Sequence, residues 1–149
     1  MKTVYLAGFI STDYPQTYEW RKKAYQLLLG PYFEILSPLR GKENLKAQTT
    51  DGGITSTIST PRDIILRDYH DVKRSDVIIA NLENYGSPRP LLGTIYELAW
   101  SWEHKKPVVA VCSPENYLMR KHPFVAETIS HYFETVEEAC KFMDDYYRQ

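Results

Sequence analysis

Three nearly unbroken apolar runs limit the possible folds more than any other feature of this chain. They are "TVYLAGF" at Thr3–Phe9, "DVIIANL" at Asp76–Leu82 and "PVVAVC" at Pro107–Cys112. None alternates apolar with polar residues, so none reads as a strand with one wet face. Strands apolar on both faces belong to parallel sheets covered by helices on either side. The segments between them carry helix signals. "PQTYEWRKKAYQLLLG" has Pro15 near its start and Gly30 at its end. "TPRD" sets a capping Thr60 before Pro61, with Asp63 where a capping-box acid belongs, and its helix runs to about Arg74. "GTIYELAWSWEHKK" is a further helix, "SPENYLMRKH" opens another with a Ser-Pro cap, and "TVEEACKFMDDYYRQ" closes the chain with a Thr135/Glu138 capping box. "YFEILSP" and "HYFE" supply two shorter strands. Five strands and about five helices give one α/β domain over residues 1–149, a doubly wound five-stranded parallel sheet with helices on both faces. Only "LRGKENLKAQTTDGGITSTIS", Leu39–Ser59, fits no element. A polar loop of that length is either a lid or binding loop, or a loose surface insertion.

Charge and motif content remove several function classes. Lys plus Arg total 18 against 19 Asp plus Glu, a net charge of −1, so no broad positive field exists to hold nucleic acid. The N-terminal apolar run is too short to span a membrane and lacks a signal-peptide cleavage pattern. Cys112 and Cys140 have no metal-type spacing, and Cys112 ends an apolar run as a buried thiol would; a reduced, cytoplasmic setting follows. Twelve Tyr and three Trp exceed what a small core needs, which suggests stacking surfaces or subunit contacts beside ordinary half-buried positions. The chain has no GxxxxGK[ST], GxGxxG or GxSxG motif, and His70, His104, His122 and His131 show no zinc spacing.

In such sheets ligands bind beyond the C-terminal ends of the strands. Glu97 lies about one turn into the helix that follows the central strand, among apolar neighbours. The helix dipole favours its anionic form there, and a carboxylate in a partly dry cleft is a competent nucleophile toward an electron-poor sugar carbon. A surface Glu near a helix start is the commoner meaning of that pattern. Gly93 would let a ligand approach, and Thr94 offers a hydroxyl or a cap. Asp68 and Asp71, three apart on the preceding helix, share a face, with Arg67 and Arg74 near enough to pair with them. Asp68 sits late enough in that helix to meet Glu97, and two close carboxylates would divide into an acid and a base or nucleophile. Tyr5 on the first strand is core packing or, as a phenol needing a partner, part of the site. Met119 fits an amphipathic core position.

"VYLAGF", "RD…D…SDVIIANL" and "GTIYELAW…KKPVVAV", in that order along the whole chain, resemble the nucleoside 2-deoxyribosyltransferase family and the related 2′-deoxynucleoside 5′-phosphate N-hydrolases. The resemblance implies a flavodoxin-like fold and cleavage of the bond between a base and C1′ of deoxyribose. It implies that Glu97 attacks C1′ to give a covalent deoxyribosyl-enzyme, and that Asp68 assists proton transfer to the leaving base or positions the sugar. It places Tyr5 near the nucleophile, sets Gly8 and Phe9 along the sugar and base pocket, and makes Met119 complete a neighbouring subunit's site in a homo-oligomer. Partners would be a nucleoside or nucleotide and a free base, with no nucleic acid and no membrane. No metal or organic cofactor is called for, since a retaining displacement needs carboxylates, positioning and a leaving base. Six residues before the Glu, where family members carry an Asp or a Ser, this chain has Leu91. Ser11, Thr12, Ser87 and Arg89 are the residues left to hold a 5′-phosphate. Transfer and hydrolysis therefore both stay open, as does a non-catalytic nucleotide sensor on the same fold.

Overall fold

In the computed structural model the described residues are 1–40 and 60–148, with the backbone of 46–47 and 54–55. Most of the long loop at Leu39–Ser59 lies outside them. The elements in chain order are β1 (Lys2–Gly8), α1 (Gln16–Leu28), β2 (Phe33–Leu36), β3 (Lys46–Ala47), β4 (Ile54–Thr55), α2 (Pro61–Arg74), β5 (Val77–Asn81), α3 (Leu92–Glu103), β6 (Val108–Val111), α4 (Tyr117–Lys121), α5 (Pro123–Ala126), β7 (His131–Phe133) and α6 (Val136–Tyr147).

Five strands form one parallel sheet in the order β2-β1-β5-β6-β7, the flavodoxin-like doubly wound arrangement. The two-residue strands β3 and β4 pair only with each other, antiparallel. The pleat of β1 sends Val4 and Leu6 to one side of the sheet and Tyr5 and Ala7 to the other. The first side packs Trp20, Ala24 and Leu28 of α1 with Ala139, Cys140 and Met143 of α6. The second packs Val72 of α2 and Leu98 of α3 over Ile78, Ala80, Val108 and Ala110. Both faces of the central strands are thus dry, which explains their unbroken apolar sequence. Among the described residues no helix is long and apolar enough to cross a membrane.

Helix ends follow local chemistry where that chemistry is unambiguous. Thr60 and Asp63 form a reciprocal capping box at the start of α2, with Pro61 in the first turn. The Thr135 hydroxyl accepts from the Glu138 amide, but the Glu138 carboxylate turns to the amide of Glu134, so the expected box is only half formed. The Ser-Pro cap expected for α4 is corrected: Asn116 accepts from the Met119 amide instead. Ser113 is held earlier, its amide by Glu83 and its hydroxyl by Glu115. The short α5, capped by the His122 ring, had no counterpart in the sequence reading.

Candidate active site

β1 and β5 run side by side with Tyr5 opposite Ile78 and Gly8 opposite Asn81, so their C-terminal ends form one ledge. Tyr5 is 0% exposed and points to the α2/α3 side. Glu97, one turn into α3, is 6% exposed, and Tyr5 Oη donates a hydrogen bond to Glu97 Oε2 across 92 residues of sequence. Burial first, then the charges of Glu97 and Asp68, hold the Tyr5 phenol well above the usual tyrosine range. Tyr5 therefore remains a proton donor at any physiological pH, and a donor to an ionised carboxylate stabilises that ionised form. Asp68 is partly buried on α2 with Oδ1 3.9 Å from Arg67 Nε, and its charge reaches Tyr5. The fold thus brings side chains from β1, α2 and α3 to one point. Its neighbour Asp71 is 2% exposed and is taken by Arg40 at 2.8 Å and Arg74 at 3.0 Å, which makes it a structural acid.

The remaining candidates differ in their surroundings. Gly8 packs so tightly that an added Cβ would lie 2.9 Å from Trp20 Cζ2 and 3.2 Å from the Asn81 carbonyl. Phe9 is buried against Tyr14, and the Arg89 guanidinium sits 5.4 Å over its ring. Gly93 is exposed in the first turn of α3, where an added Cβ would meet no described atom. Leu91 is buried and lends α3 no side-chain cap. Met119 is partly buried against its own chain's core, and its carbonyl accepts from Tyr132 at 2.6 Å.

The four anion candidates separate. Ser11 is spent locally, accepting from the Asp13 amide through Oγ and from Thr17 through its carbonyl. Ser87 is buried and its Oγ accepts from the Arg89 amide. Thr12 Oγ1 and Arg89 Nη1 are buried atoms without a hydrogen-bond partner among the described residues. Those residues contain no cluster of three or more His, Cys, Asp or Glu able to hold a metal ion.

Sequence reasoning missed two parts of this ledge. Arg21 of α1 is 4% exposed and donates to the carbonyls of Thr17 (2.6 Å), Gly8 (2.8 Å) and Phe9 (3.4 Å). It hid in the basic run "RKK", although it falls on the buried stripe of Thr17, Trp20, Ala24 and Leu28. Asn81 ends β5, and its Nδ2 donates to Tyr85 Oη at 2.7 Å. Tyr85 holds a left-handed backbone at φ 57°, a costly state for an aromatic residue that no short-range pattern announces.

Residues 4–142 match the family model for nucleoside 2-deoxyribosyltransferase. No curated protein sequence matches. Solved structures share the fold at low identity. A 2-desoxiribosyltransferase from Leishmania mexicana is 17% identical, with TM-score 0.67 and coverage of 98% of this chain and 99% of that one. The CMP N-glycosidase BcmB of Clostridium botulinum is 18% identical, with TM-score 0.61 and coverage of 97% and 100%. A conserved protein from Enterococcus faecalis V583 is 16% identical, with TM-score 0.65 and coverage of 97% and 98%.

Proposed function

This chain belongs to the nucleoside 2-deoxyribosyltransferase family, and we propose that its chemistry, cleavage or transfer at the N-glycosidic bond of 2′-deoxyribonucleosides, is carried by Glu97 as nucleophile and Asp68 as proton partner. One observation carries the assignment: a buried carboxylate on α3 accepts a hydrogen bond from a buried phenol that stays protonated, three residues before the C-terminal end of β1, the side on which this fold binds ligands.

A Glu97 carboxylate oxygen bonds to C1′ as the bond from C1′ to the base nitrogen breaks. The bonding pair leaves with the base, and Asp68 in its acid form delivers the proton that neutralises it. The resulting deoxyribosyl ester is then attacked at C1′ by a second base or by water. Asp68 takes up the proton released, Glu97 leaves as carboxylate, and two inversions give net retention. Tyr5 fixes the carboxylate through Oε2 in both steps. The reaction needs no cofactor. Chromatographic assay of base release over a panel of deoxynucleosides, with and without an acceptor base, tests the reading. Glu97→Ala is expected to abolish release while the fold persists, and full turnover by that variant would refute it.

A second reading, hydrolysis of a nucleoside 5′-monophosphate, has its own support. Arg89 lies over Phe9, and its Nη1 and Thr12 Oγ1 each lack a hydrogen-bond partner among the described residues. A cation and a hydroxyl with spare donors suit a phosphate. If it is right, a 5′-phosphate improves kcat/KM and Arg89→Ala removes that advantage alone.

The quaternary proposal is a homo-oligomer with shared sites, Met119 helping to close a neighbour's pocket. Exposed Leu92, Ile95 and Tyr96 on α3, with Tyr117, Leu118 and Phe124 near Met119, give it apolar surface to bury. Two free, buried cysteines support a reducing, cytoplasmic setting.

A further inference from the structure

Arg21 is the one deeply buried cation beside the site among the described residues. It approaches from α1, on the side of the sheet away from α2 and α3. Its hydrogen bonds to the Thr17, Gly8 and Phe9 carbonyls need donors but not a charge. Its guanidinium also stacks 4.7 Å from the Trp20 ring. Burying a full charge for carbonyl bonds alone is a poor exchange, and burial does lower its proton affinity, to about 10. At neutral pH it is still a cation. Glu97, Tyr5, Tyr85 and Asp68 all act on it in the opposite direction, so its charge acts on them in return.

We infer that Arg21 is a positioning residue for the reaction: it clamps the end of β1 through the Gly8 and Phe9 carbonyls and sets a fixed, buried positive charge behind the strand that carries Tyr5. The clamp is tight, because α1 presses on Gly8 until no Cβ fits between that residue and Trp20. Tyr5, which aims Glu97, sits three residues upstream on the same strand. The inference rests on the reading of Glu97 as nucleophile. Among the described residues, the charged and titratable groups that act at this point include Tyr5 from β1, Glu97 from α3, Asp68 with Arg67 from α2, and Arg21 from α1, with Tyr85 after β5 facing Arg21. Without Arg21 that set keeps two carboxylates and loses its buried cation, and the carboxylates become harder to ionise.

The test is the pH profile of kcat/KM for base release in wild type, Arg21→Lys, Arg21→Gln and Arg21→Met, with the fold of each checked by circular dichroism. Arg21→Lys keeps the charge and loses the fork, so its acid limb stays in place while its rate falls. Arg21→Gln and Arg21→Met lose the charge, so the limb moves up by about one pH unit, an approximately tenfold loss on the acid side that closes as pH rises. Loss by the neutral variants at all pH values with the limb unmoved would leave only a structural role and overturn the inference. So would an unchanged profile, or failure of both neutral variants to fold. An inactive wild type, or a fully active Glu97→Ala, would instead sink the assignment of the site.

Discussion

Replacing Tyr5 by Phe removes one oxygen from the site and leaves the ring, which is 0% exposed in the core, in place. The oxygen lost is the one that donates to Glu97 Oε2. That bond favours Glu97 as a carboxylate over Glu97 as an ester, because an ester oxygen is a much poorer acceptor. A hydrogen bond to a charged group is worth ~1.5–3 kcal/mol. On the proposed mechanism its loss shifts the balance toward a covalent deoxyribosyl-enzyme by about ten- to a hundredfold. The two half-reactions respond differently. Attack by Glu97 gives up the bond on the way to the ester, so formation is slowed little apart from poorer aim. Breakdown regenerates the carboxylate and loses its stabiliser, so breakdown is slowed most. Rapid-quench measurement of base release is expected to show a burst of about one equivalent per site, followed by a slower steady state. Intact-mass spectrometry of the quenched protein then shows the deoxyribosyl adduct. The acid limb of kcat/KM moves upward as well, since a donor to the charged form had held the carboxyl down. An unaltered steady-state rate, with no burst and no shift of the limb, would refute the role given to the Tyr5–Glu97 bond.

Asp68→Asn keeps the side chain's shape and removes its proton, so base release is expected to fall about 10²–10⁴-fold. The loss should be greatest for bases that leave poorly without protonation, as read across the nucleoside panel. Gly93→Ala adds a Cβ that meets no described residue within 4 Å, on a helix where Ala exceeds Gly by up to ~1 kcal/mol. The melting temperature should hold or rise while KM for the nucleoside increases, and an unchanged KM would remove Gly93 from the pocket rim. Cys112 and Cys140 are buried, and burial raises both thiols, Cys140 to about 12. A chromogenic disulfide reagent should therefore find no reactive thiol in the native protein and two after denaturation.

How far the sequence spoke for this structure depends on how local each cause is. The apolar runs of β1, β5 and β6 announce their burial because both faces of each strand are covered by the same fold. The Thr60/Asp63 box is legible because its partners lie three residues apart. "SPEN" offers several caps at once, and Asn116 wins only because Glu83, thirty residues earlier, has already fixed Ser113. The acids on α2 obey the same rule. Spacing puts Asp68 and Asp71 on one face, but Arg40, from beyond β2, and Arg74 capture Asp71, leaving Asp68 as the acid whose charge is felt at Tyr5. Arg21 is the extreme case. Its neighbours Lys22 and Lys23 are exposed, and only the helical stripe through Thr17, Ala24 and Leu28 separates it from them. A charge standing on an apolar stripe has the same signature as Glu97, a charged residue among apolar helical neighbours. Glu97 is on α3 and Arg21 on α1, on opposite sides of the sheet, and the charges of both bear on Tyr5 of β1. A buried cation and a buried carboxylate that miss each other in sequence but act on the same phenol are each costly alone, and each lowers the cost of the other.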